Sequence, residues 1–273
     1  MPSPLRSPRL PADTTTDFEV CVLRACGITD QGRIRPTNED CFAIDERLNL
    51  LVIADGMGGH NAGEVAARLA VDAVVDAVAA GTGQRPFGDD PSLSRVGNLL
   101  RTAVLLANAR IRAAAVASSA CAGMGTTIVA AIACGGRLSV AHVGDSRLYL
   151  LGPAGLRQLT ADDSWMASEL ARDPSADPWV LQHHPMRHAL TNVVSGRAGT
   201  AVHVIEEALS GGELILLTTD GVHGSVDAPR LEQLLREHDA LPDLVAEVIR
   251  TALTHGSRDN CTAVAGRYQR ETV

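Results

Sequence analysis

The chain has 273 residues, 45% apolar and 21% charged, which is enough apolar material for one large domain and too little charge for a disordered chain. A formal net charge of −8 gives no global positive field, so neither nucleic acid nor an anionic membrane surface is an expected partner. No run of about 18 apolar residues occurs, which argues against membrane insertion, and six scattered cysteines without CxxC or zinc spacing read as free thiols in a reducing cytoplasm.

Residues 1–16 are rich in Pro, Ser and Thr and read as a disordered leader. A folded domain is expected over 17–268, followed by a short tail at 269–273. Strand-length apolar runs bounded by Gly, Asn and Asp follow at 20–27, 41–44, 50–54, 126–133, 138–143 and 147–151. Short turns such as Cys134-Gly135-Gly136 favour antiparallel pairing. Helical periodicity replaces them at 62–80, with Val65, Leu69, Val71 and Val75 near one face, and at 96–118. Late in the chain strands return at 203–206, 214–218 and 261–265, with helices at 230–237 and 241–254. Strands in clusters with helices between them give an α+β class, antiparallel sheets packed on each other and flanked by helices.

Acidic residues stand at the ends of these strands: Asp55, Asp145 and Asp220 after apolar runs, Asp259 just before one, and the pair Glu39-Asp40 before another. Any one of them could simply make a turn. Together they suggest a buried group of carboxylates, which stays ionised only with cations present. Hard oxygen donors without neighbouring His or Cys select Mg²⁺, Mn²⁺ or Ca²⁺, and the spacing does not match an EF-hand loop.

Seven motifs run in order: Arg35-Pro36-Thr37-Asn38-Glu39-Asp40, Asp55-Gly56-Met57-Gly58-Gly59-His60, Gly125-Thr126-Thr127, Val143-Gly144-Asp145-Ser146-Arg147, Leu159 to Ser164, Thr219-Asp220-Gly221, and Asp259-Asn260-Cys261-Thr262. This series resembles the signature of the PPM, or type 2C, metal-dependent Ser/Thr protein phosphatases, most closely their bacterial branch. The resemblance covers about residues 26–264. It implies a central sandwich of two antiparallel β-sheets with a helix pair on each outer face, a four-layer αββα fold, and two bound Mn²⁺ or Mg²⁺ ions. Carried over by position, Asp55 would bridge the ions and the carbonyl of Gly56 would bind the first. Asp220 and Asp259 would hold the second, and Glu39 and Asp40 would act largely through waters. Arg35 would grip the phosphate, and Asp145 with Asp220 would bind the third ion that bacterial relatives often carry. The implied activity is hydrolysis of phosphoserine and phosphothreonine by a metal-activated water without a covalent intermediate. Phosphorylated proteins, including a Ser/Thr kinase and its substrates, are the implied partners of a monomer.

Two departures stand out. Many eukaryotic relatives place an acid histidine where this chain has Met57, and a thioether donates no proton; His60 is a weak alternative, and water is the favoured donor. Asp163 occupies a position where relatives commonly show histidine. Residues 161–199 correspond to the variable flap beside the site, where His183-His184-Pro185 reads as solvated loop, and Trp165 and Trp179 as flap anchors or docking contacts. Gly125-Thr126-Thr127 reads as structural, the start of a core strand. Two rivals stay open: a catalytically silent regulatory or binding module, and the same chemistry on a small metabolite or an anti-sigma-factor antagonist.

Overall fold

Apolar runs without alternation become strands covered on both faces, as β3 (Leu50–Met57) shows. Its Leu50, Val52 and Ala54 enter one apolar cluster, while Leu51 and Ile53 point the opposite way into another. The computed structural model describes residues 19–59, 62–81 and 86–272. The expected leader and His60 lie outside the described residues.

Two antiparallel sheets form the sandwich. One runs β1 (Glu19–Asp30), β11 (Cys261–Thr272), β10 (Leu214–Thr218), β7 (Arg147–Gly152) and β8 (Gly155–Gln158). The other runs β2 (Asp40–Asp45), β3, β5 (Ile128–Cys134), β6 (Arg137–Val143) and β9 (His203–Ala208), with β4 (Gly125–Thr126) paired to the end of β3. The inner faces meet through Leu51, Ile53, Val129, Leu148, Leu217 and Val264. Helices α1 (Ala62–Ala80) and α2 (Arg95–Ala117) cover the outer face of the second sheet. On the first sheet the cover is α6 (Ala228–Glu237) and α7 (Leu241–Thr254). The expected four layers are therefore present.

Details differ from the expectations for physical reasons. The buried face of α1 is Ala62, Gly63, Ala66, Ala67, Ala70, Val71, Ala73, Val74 and Val78, whereas Val65 is exposed. Small side chains let this helix lie close to the sheet. The expected strand at 126–133 breaks at Thr127, because Thr126 exchanges both backbone hydrogen bonds with Val194 while the Thr127 N–H donates to Asp55 O. β11 pairs with β1 as far as Glu19↔Thr272, so the ladder passes the expected domain end at 268 and takes in most of the expected tail. Three short helices are additions: α3 (Trp165–Arg172) and α4 (Pro178–Gln182) in the flap, and α5 (Asp220–His223) directly after β10.

Candidate metal centre

Both sheets deliver acidic residues to one end of the sandwich. Asp40 opens β2 and faces Asp55 across the register, Asp220 opens α5, Asp259 precedes β11, and Asp145 lies in the turn between β6 and β7. One cleft of about 490 Å³ is lined by Arg35, Glu39, Asp55, Gly56, Asp145, Asp220 and Asp259, and also by Met57, Thr127, His188 and Asn260. Asp40 lies beneath it, buried, with Oδ2 accepting hydrogen bonds from Thr219 Oγ1 (2.8 Å) and Thr262 Oγ1 (2.7 Å). A cavity of about 650 Å³ between α2 and residues 196–200 has no carboxylate in its wall, so chemistry rather than size marks the site.

Backbone contacts hold the carboxylates in place. A Cβ on Gly56 would stand 2.1 Å from Gly63 O, and one on Gly63 would stand 2.5 Å from Glu39 Oε2. Only glycine fits at either position, so the end of β3, the first turn of α1 and Glu39 touch directly. Similarly, a Cβ on Gly221 would stand 1.9 Å from Asn260 O, which brings Asp220 beside the Asp259 loop. Thr127 Oγ1 accepts the Asp55 N–H (3.0 Å), while the Thr127 N–H (2.9 Å) and the Thr126 hydroxyl (2.8 Å) donate to Asp55 O. The Gly125-Thr126-Thr127 motif thus clamps the backbone of Asp55 as well as starting a strand. Asn260 accepts the Glu39 N–H (2.9 Å) and donates to Gln31 O (2.8 Å) and Thr37 O (2.9 Å), tying the loop before β2 to β11.

Crowded, half-desolvated carboxylates resist ionisation. Burial, then the charges of Asp40, Asp220, Asp145 and Asp259, hold the Asp55 carboxyl well above its ordinary range. Asp40 is pushed up to about 7 by burial, against the two threonine hydrogen bonds and with Asp220 and Asp259 adding to the rise. Asp145 is likewise raised to about 7 by burial and then by Asp220 and Asp162. Asp220 is raised by burial and Asp259, opposed by a hydrogen bond with Asp55 and by the charges of His188 and Arg35. Burial also raises Glu39.

Among the described residues, no three acidic, histidine or cysteine side chains form a ready-made cation cage. Asp259 Oδ2 is turned onto Arg35 (2.5 Å), and Asp40 onto its threonines. The fit to a cation comes from Asp220, whose Oδ1 is buried without a hydrogen-bond partner, and from hard oxygen donors whose mutual repulsion a divalent ion offsets. Arg35 does make a salt bridge, but its partner belongs to the cleft.

The flap is held by the residue that departs from the family pattern. Asp163 Oδ2 accepts hydrogen bonds from Gly144 N (2.9 Å) and Asn192 Nδ2 (2.8 Å), and its Oδ1 pairs with His203 Nε2 (3.0 Å). Beside it Arg147 grips Asp162 with two bonds of 2.9 and 2.7 Å. The two flap histidines do not form a ligand pair: His184 stacks on Trp165 and His183 packs against Trp179. His188, on the same segment, lines the cleft and was not singled out by the sequence motifs.

Fold and site define a class, and sequence comparison agrees. The protein phosphatase 2C family model matches residues 36–260, and the chain belongs to that family. It is 32% identical to the serine/threonine phosphatase stp of Listeria monocytogenes over 86% of this chain and 92% of that protein. It is 34% identical to the serine/threonine protein phosphatase PstP of Mycobacterium tuberculosis over 89% of this chain and 44% of the longer protein. A crystal structure of the catalytic domain of PstP in complex with two manganese ions superposes with a TM-score of 0.76 at 32% identity, covering 92% of this chain and all of that one.

Proposed function

We propose that the chain hydrolyses phosphoserine and phosphothreonine in proteins, using Mn²⁺ or Mg²⁺ and no covalent enzyme intermediate. The observation that carries this reading is the Asp220 oxygen left buried and unpartnered in the cleft it shares with Asp55, Asp145 and Asp259. In this reading Asp55, the Gly56 carbonyl, Asp220 and Asp259 would hold two ions. Glu39 and Asp40 would support them from outside that set, and Asp145 with Asp220 would hold a third. When bound, the ions supply a water acidified toward neutrality and positive charge for the phosphoryl oxygens. Arg35 recognises the phosphate: with Asp259 engaged by a cation, its guanidinium is free to present two N–H groups to phosphoryl oxygens. The threonine clamp on Asp55 and the glycine contacts at Gly56 and Gly221 keep the donors in position without side-chain adjustment.

A silent binding module would carry the same repelling carboxyls and orphan oxygen with nothing to offset their cost. The catalytic domain is proposed to run from residue 17 through β11, with 161–199 as its flap. The partners are phosphorylated proteins, among them a Ser/Thr kinase and its substrates, met by a monomer. A cytoplasmic setting is supported by five described cysteines that stay as free thiols. Among the described residues no helix is long and apolar enough to cross a membrane.

The test is phosphate release from a phosphothreonine peptide with Mn²⁺, with EDTA, and in Asp55→Ala and Asp220→Asn. Turnover is expected with Mn²⁺, none with EDTA, and a loss on the order of 10³-fold or more in both variants with unchanged circular dichroism. Retained turnover in both purified variants overturns the assignment.

A further inference from the structure

Hydrolysis of a serine or threonine phosphate expels an alkoxide, a far stronger base than water at neutral pH, so a proton must reach that oxygen as its bond to phosphorus breaks. Among the described residues, few groups in the cleft can deliver one. The chain contains no lysine, Arg35 does not release protons near neutrality, and Met57 has none to give. The carboxyls are committed to cations in the reading above. Among the described residues lining the carboxylate cleft, His188 is the only histidine.

His188 is also suitably held. It lies on the flap where the chain returns toward the site, and it lines both the carboxylate cleft and the adjoining groove of about 660 Å³ that runs along Arg147, Asp162 and Ser257. The next residue is pinned, with Ala189 O accepting the Trp165 N–H (2.8 Å) and the Ala189 N–H donating to Met186 O (2.8 Å). Leu190 then bridges Ser164, the residue that caps α3. The imidazole itself is exposed, and among the described residues none is hydrogen-bonded to either ring nitrogen. Its charge is felt at Asp220, on the floor of the cleft.

We propose that His188 is the general acid that protonates the departing serine or threonine oxygen, a role the sequence motifs leave to water or His60. The proposal rests on the phosphatase reading. In the step, the oxygen of water bonds to phosphorus while the bond from phosphorus to the side-chain oxygen breaks. The electron pair of the broken bond stays on that oxygen, which takes a proton from the imidazolium of His188. The imidazole left behind regains a proton from solvent, and the attacking water releases its own.

The leaving group provides the test. A phosphothreonine peptide expels an alkoxide that needs the proton, whereas p-nitrophenyl phosphate expels a stable phenolate that does not. Both substrates are assayed on wild type, His188→Ala, His188→Asn and His60→Ala with Mn²⁺ present. The expected result is a fall in kcat of about 10²-fold on the peptide for both His188 variants, with a loss at least about tenfold smaller on the aryl phosphate. Equal losses on the two substrates, no loss on either, or the leaving-group dependence appearing in His60→Ala instead would each overturn it. Wild type inert toward both substrates would bring down the phosphatase reading, and this proposal with it.

Discussion

The cleft and the flap are built by opposite means. In the cleft, position is set by backbone against backbone: Gly56 against Gly63, Gly221 against Asn260, Thr126 and Thr127 around Asp55. None of these contacts can widen without moving a strand. The flap carries short helices, aromatic rings stacked on histidines, and apolar groups in solvent, with Trp179 66%, Val180 53% and Met186 51% exposed. Its firm attachments lie at its two ends: Asp163 and the Ser164 bridge to Leu190 at one, and Val194 and Gly196, bonded to Thr126 and Asn108, at the other. A hydrolase of this kind needs its ligands fixed to fractions of an ångström, while the surface beside them meets proteins of different shape.

The largest effect that would sharpen this contrast is expected from Gly221→Ala. A methyl group 1.9 Å from Asn260 O forces α5 and the Asp259 loop apart, and roughly 3 kcal/mol or more of stability should go with it, together with turnover. Urea unfolding and phosphate release measure the two losses; a variant as stable as wild type would show the cleft to be more compliant than its contacts imply.

An intermediate effect concerns pH. Asp40 and Asp145 keep their protons in the fold to about 7, and Asp55 and Asp220 are also raised, whereas the unfolded chain releases such protons near pH 4. The folded, cation-free protein therefore binds more protons than the unfolded chain, and its stability falls as pH rises. Two histidines act in the opposite sense: burial and then His203 push His142 down to about 4, and desolvation holds the half-buried His223 well below its ordinary value. Their contribution ends above the unfolded histidine value of about 6.5. Between about pH 6.5 and about pH 8 the carboxyls act alone, and the Tm of EDTA-treated protein should drop by roughly 3 °C or more, a drop that Mn²⁺ removes. A flat Tm across that window would mean the carboxylates are already satisfied without cations.

The smallest effect belongs to the flap. Trp179→Ala removes a largely exposed ring that packs on His183, so thermal stability should change by less than about 0.5 kcal/mol and aryl-phosphate turnover should stay at the wild-type rate. A large loss of stability by calorimetry would break the contrast, because it would make the flap a structural element like the cleft.

The sequence disclosed the two regions unequally. α1 and α7 appear with the bounds their periodicity implies, and the core strands coincide with uninterrupted apolar runs, because burial on both faces leaves no polar alternation to read. The acidic residues at strand ends line one cleft, with Asp40 set beneath the others. What stayed hidden depends on partners far apart in the chain. Asn260 looks like a turn residue until Glu39, Gln31 and Thr37 arrive around it, and His188 looks like loop until the flap folds back over Asp220. β8 is only four residues long, too short for its alternation to register. The start of α4 was within reach, since Asp177 caps it and Pro178 follows at its first turn.

The ladder of β1 with β11 joins the first described strand to the last, and β11 sits inside its sheet, between β1 and β10. During synthesis, β1 and β10 wait for an interior neighbour that leaves the ribosome after both of them. The same late segment is preceded by Asp259 and Asn260. A nascent chain that stops before Asp259 lacks both the interior strand of its sheet and two residues of the cleft wall, Asp259 and Asn260, so it is expected to be inert.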